Sequence, residues 1–156
     1  MSGLREQWVP PQDESRTGRA YVLGVVAAVV ADLLALGVLL LVVGVVGLGI
    51  AGTDGVSDAS GGRRAVILVL GALALTGSTL AGGWMATWTM LRRGVEAEPA
   101  RRSAVVAVTV LGVVMLLADG LTGKTPLQWV FGVLGVAGGA LAADRLAPRS
   151  VERALR

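Results

Sequence analysis

The chain has 156 residues, of which 54% are hydrophobic and only 16% charged; it contains 23 glycines, no cysteine and no histidine. Soluble domains carry about 25% charged residues and about 7% glycine, so an ordinary water-soluble globule is excluded for want of polar surface. The same hydrophobicity excludes disorder over most of the chain. Disulfides, thiol catalysis, zinc–thiolate centres, iron–sulfur clusters and histidine general-base chemistry are excluded too.

Thirteen of the 14 basic residues are arginine and one, Lys124, is lysine. With the Ala, Gly, Val and Leu excess, that skew is what a GC-rich genome produces, and a bacterial source is expected. Residues 1–20 are polar, hold Pro10-Pro11, and are expected to form a flexible cytoplasmic tail. Tyr21 to Ile50 is a run of 30 residues whose only charge is Asp32. It is twice the usual length of a signal-peptide core and follows a long leader, so cleavage is not expected. At about 1.5 Å per residue it exceeds the thickness of the bilayer core, and the excess is expected to end at Gly44, Gly47 and Gly49 or to project outward.

A Gly-, Ser- and Asp-rich loop, residues 51–64, leads to Ala65–Leu91, 27 residues without charge. The segment RRGVEAEPARRS then precedes a shorter apolar run, Ala104–Ala118, closed by Asp119-Gly120. A span needs about 20 apolar residues, so this third run must reach through Asp119 to about Leu121. Valines on all its faces argue against an interfacial helix, which needs one polar face. Leu127–Ala143 is the last uncharged run, and the tail beyond carries four arginines. The expected fold is an all-α membrane protein, a four-transmembrane-helix bundle. Its spans fall at about 21–46, 65–91, 103–121 and 126–146, within a membrane domain 21–147 followed by a cytoplasmic tail, 148–156.

Eleven arginines lie in the N-terminal tail, the second loop and the C-terminal tail, against Arg63, Arg64 and Lys124 in the other two loops. The excess of positive charge on cytoplasmic loops places both termini inside, in the cytoplasmic membrane. Tyr21, Trp88 and Trp129 sit near run ends, where amphipathic rings anchor, and Trp84 with Trp88 reads as a pair of anchors. The inner arginines favour anionic lipid. They also account for the basic balance without nucleic acid. Asp144-Arg145 reads as an interfacial ion pair.

Small residues recur at steps of four: Gly24, Ala28 and Asp32 in the first run; Ala74, Ser78, Gly82 and Ala86 in the second; Gly135, Gly139 and Ala143 in the fourth. Such stripes let membrane helices approach closely, and they suit a tight bundle or a homo-oligomer. Asp32 continues the first stripe and lies about 16 Å beyond Tyr21, near the bilayer midplane. In antiparallel pairing, Ser78 and Thr79 come level with it. Two readings follow. In one, a neutral aspartic acid hydrogen-bonds Ser78 or Thr79 and fixes the packing. In the other, Asp32 exchanges a proton or binds a cation, with Ser78 and Thr79 as supporting ligands, because intramembrane ionisable groups are candidate functional sites.

Four short spans with a carboxylate in the first are similar in outline to the small multidrug resistance transporters. That resemblance covers the architecture and Asp32, and it implies a coupling role for Asp32. The chain departs from the family in its long leader, its wide first loop and its six aromatic residues. The leading expectation is a non-enzymatic structural or regulatory membrane component acting through helix packing, without cofactor or metal. The alternative is a small proton- or cation-coupled transporter. An intramembrane hydrolase ranks third, because no base accompanies the serines.

Overall fold

The computed structural model describes residues 14–51, 61–120 and 125–154, with side chains for 16–49, 61–118 and 125–146. The described chain forms four helices, α1 (Glu14–Ala51), α2 (Gly61–Arg92), α3 (Ala97–Gly120) and α4 (Pro126–Ala154). All four are long and apolar enough to cross a membrane, as expected of a multi-pass protein. Val and Gly are mediocre helix formers in water. In hydrocarbon, however, every backbone N–H and C=O must be paired within the segment, and a helix does this. Val22, Leu34, Val38, Leu41 and Val45 are each more than 60% exposed. That face suits lipid and not water.

The helices overrun the spans that hydropathy marks out. Residues 14–20, read as tail, form the first turns of α1, and α4 passes Pro148 to reach Ala154. Hydropathy counts apolar side chains, whereas the backbone ladder continues into charged turns. Nor does α1 stop at the Gly44, Gly47 and Gly49 cluster; it runs through to Ala51 over 38 residues, about 57 Å. The short third run belongs to a full helix of 24 residues, about 36 Å long. Asp54, Asp58 and Lys124 lie outside the described residues, as does the side chain of Asp119.

Two helix ends show why the chain turns where it does. After α2, Gly94 N–H donates to Leu91 O (3.0 Å) and Val95 N–H to Met90 O (3.1 Å), with Gly94 at φ +82°. This is a Schellman closure, which needs a left-handed residue and favours glycine. Val95, only 8% exposed, tucks back beneath it. At the start of α4, Thr125 N–H donates to Gln128 Oε1 (2.8 Å), and the Thr125 hydroxyl also donates to that oxygen (3.2 Å). Pro126 fills the first helical position, where no N–H is needed.

The contacts give the order of packing. Gly24 meets Met90, Gly82 meets Asp32, Gly77 meets Leu39 and Gly47 meets Ile67, so α1 and α2 run antiparallel along their lengths. Gly135 lies on Ala72, Gly139 on Thr79 and Gly83 on Ala143, so α4 runs parallel to α2 on another of its faces. Gly112 against Val136 and Gly132 against Leu116 make α3 antiparallel to α4. The helix α2 is therefore the hub. Among the described residues α1 and α4 do not touch, while α3 packs on the other three helices.

Candidate functional site

The three stripes of small residues are the buried seams. Gly24, Ala28 and Asp32 are buried on α1; Ala74, Ser78, Gly82 and Ala86 on α2; Gly132, Gly135, Gly139 and Ala143 on α4. A second seam on α2, Thr79, Gly83 and Thr87, serves the α4 side and was not singled out from the sequence. Thr76 adds a bridge there, its hydroxyl lying 3.0 Å from Ala72 O and 3.1 Å from Gly135 O. Its signal was a threonine one turn from Ala72 within a glycine-rich helix pair.

Asp32 sits where α1, α2 and α3 converge and is 2% exposed. A Cβ added at Gly82 would lie 3.0 Å from Ala28 O, 3.0 Å from Asp32 Cβ and 3.2 Å from a Val108 methyl. Glycine is thus what lets the α2 backbone close over the carboxylate. The side chain paired with Asp32 is Ser78, 1% exposed, whose hydroxyl also reaches Leu75 O at 3.1 Å. Asp32 Oδ1 is buried and accepts no hydrogen bond.

Thr79 is placed differently. It is 2% exposed, its hydroxyl donates to Leu75 O (2.8 Å), and its Cβ faces Gly139 of α4. Adjacent helical residues are separated by about 100° around the axis, so Ser78 and Thr79 serve different neighbours. The structure therefore brings Asp32 and Ser78 together and turns Thr79 to the α2–α4 seam.

At the arginine-rich end, Arg101 Nη1 reaches Asp144 Oδ1 (3.2 Å) and joins α3 to α4. Asp144 thus pairs across the bundle and not with its neighbour Arg145, since consecutive helical residues do not face each other. Glu98 bonds Arg102 Nη2 (2.7 Å) and Arg101 Nη2 (3.5 Å), one turn along α3. Trp84 and Trp88 stack at 6.3 Å between centroids, and the Arg92 guanidinium lies 4.1 Å over the Trp88 ring. This ladder at steps of four extends the expected anchor pair by one cation–π contact.

A crevice of about 620 Å³ opens between the helices at the far end from these arginines. Leu36, Leu75, Met115, Phe131 and Gln128 are among its walls. Its deepest residues, Leu36 and Leu75, are one turn from Asp32 and Ser78, but neither of those two lines it. Chemically, the junction holds one carboxylate and one hydroxyl, sealed by backbone and valine. No protein-family model, curated protein or solved structure matches the chain.

Proposed function

We propose that this chain is a non-enzymatic, multi-pass component of the cytoplasmic membrane, structural or regulatory, that acts through helix packing with both termini on the cytoplasmic side. The observation that supports this reading is the closure around Asp32. The one acid at mid-depth is 2% exposed and lies beneath a glycine contact. A coupling carboxylate has to meet water from each side in turn. The arginine bias among the loops supports the orientation.

A second reading is favoured by one feature, the unpartnered Asp32 Oδ1 one turn from the floor of the far crevice. Opening there would make the chain a proton-coupled transporter, with Asp32 as the coupling group and Ser78 beside it. One carboxylate and one hydroxyl fall short of the roughly six oxygens a divalent cation takes, which favours a proton.

The discriminating experiment reconstitutes wild type, Asp32→Asn and Asp32→Leu in vesicles under an imposed proton gradient. The packing reading predicts that none of the three conducts protons or carries solute above protein-free vesicles. Proton-coupled flux in wild type that Asp32→Asn abolishes while the helices remain folded would replace it with the transporter reading.

A further inference from the structure

Another groove lies between α1 and α3, which run side by side in the same direction. It has a volume of about 670 Å³, and its walls include Val29, Val110 and Val114. Its mouth carries Tyr21, Arg102 and Ser103. From Ser103 to Val114 the groove follows 11 residues of α3, about 16 Å, or half of a hydrocarbon core about 30 Å thick. It therefore extends from the polar end of the bundle to mid-depth. It has a hydroxyl-bearing, cationic mouth and an apolar body.

From this geometry we propose that the α1–α3 groove is a binding site for one anionic phospholipid of the surrounding leaflet, its phosphate at Arg102 and an acyl chain along the valine walls. Arg102 is 74% exposed and bonds Glu98 Oε1 through Nε (3.0 Å) and Nη2 (2.7 Å). An exposed pair of this kind is weak, and a guanidinium has five N–H donors, so Nη1 is left to donate to a phosphate oxygen. The Ser103 and Tyr21 hydroxyls sit at the same mouth and suit the ester and glycerol oxygens. Arg16 and Arg19 are exposed at the same end of α1, so this end of the bundle is basic, although neither lines the groove. Charge complementarity thus selects an anionic headgroup. The groove's length selects a single leaflet's chain over a partner helix, which would cross the whole membrane.

The inference relies on the bundle standing in a bilayer and is independent of whether Asp32 carries protons. The full chain is reconstituted in equal amounts of phosphatidylglycerol and phosphatidylcholine, extracted in mild detergent, and its retained lipid counted by native mass spectrometry. Wild type is expected to keep one phosphatidylglycerol, preferred about fivefold over phosphatidylcholine, the ratio for one guanidinium facing one anionic headgroup. Arg102→Gln should erase the preference and Ala107→Phe should expel both lipids. Val110→Phe fills the groove from its exposed rim and serves if Ala107→Phe fails to fold. Retention of phosphatidylglycerol unchanged in Arg102→Gln and in the groove-filling variants overturns the site. So does a wild type that keeps no lipid, or a dimer of this chain that the groove-filling variants dissociate. The count requires no flux measurement, so its failure leaves the packing reading standing.

Discussion

Adding a single methyl group at Gly135 probes the α2–α4 seam directly. A Cβ there would sit 2.9 Å from Ala72 O, 3.0 Å from Leu75 Cβ and 3.3 Å from Ala72 Cα. Carbon contacts are favourable at about 3.5–4.0 Å, and two of these three atoms are backbone that no rotamer change can move. The helices must separate by several tenths of an ångström. That movement also loosens Gly139 against Thr79 and stretches the 3.1 Å approach of Thr76 Oγ1 to Gly135 O. Overpacking of this kind costs about 1–3 kcal/mol, and an interhelical hydrogen bond in a membrane contributes about 0.6 kcal/mol. Gly37 is the control, because a Cβ there meets nothing within 4 Å. Gly37→Ala should be neutral or stabilising by up to about 1 kcal/mol, the helix-propensity difference. Both variants are unfolded from mild detergent by added dodecyl sulfate and followed by far-ultraviolet circular dichroism. Gly135→Ala should unfold at a clearly lower dodecyl sulfate fraction than wild type, and Gly37→Ala at an equal or higher one. Coincident transitions for the two variants would refute the packing proposed for this seam.

Other consequences follow from single contacts. Gly94→Ala forces a side chain into the left-handed region and should cost about 1 kcal/mol in the same titration; Gly62→Ala, at an exposed helix start, should cost nothing measurable. Gln128→Ala removes the oxygen that accepts both Thr125 bonds at the start of α4 and should lose about 0.5–2 kcal/mol, while Thr125→Ala, which keeps the 2.8 Å backbone bond, should lose less. Ser78→Ala should lose under about 1 kcal/mol, because a side-chain hydrogen bond between membrane helices is worth little net; a loss of several kcal/mol would mean that the pair holds α1 in place. Asp144→Asn should weaken the α3–α4 link to Arg101, a half-exposed pair, and cost under about 1 kcal/mol in the same titration.

Much of the bundle is legible in the sequence because hydrocarbon imposes a simple rule. Long uncharged runs must be helices, and small residues at steps of four must be seams, so Gly24–Ala28–Asp32 and Ala74–Ser78–Gly82–Ala86 mark buried faces without any partner being known. What the sequence left open depends on relative rotation. Ser78 and Thr79 are equally near Asp32 in depth, and only the packed helices decide that Thr79 faces Gly139. The pairing of Asp144 with Arg101 is of the same kind, since local spacing suggests Arg145 and only the crossing of α3 with α4 supplies the true partner. Helix ends escaped for another reason. Hydropathy is silent about Glu14–Ala20 and about the region around Pro148, where the ladder continues through turns rich in charged and polar residues. The Thr125–Gln128 cap, by contrast, has a sequence signature, a threonine three residues before a glutamine, that charge runs do not register.

Whether water reaches the Asp32 junction can be measured with one near-isosteric change, because the chain has no cysteine of its own. Ser78→Cys is treated with a membrane-impermeant maleimide in sealed and in opened membranes, beside Gly62→Cys at an exposed position. Thiols react as thiolates, which a sealed apolar contact does not sustain. The account predicts that Gly62→Cys labels readily and that Ser78→Cys labels only after dodecyl sulfate unfolding. Labelling of Ser78→Cys in folded membranes at a rate near that of Gly62→Cys would contradict it.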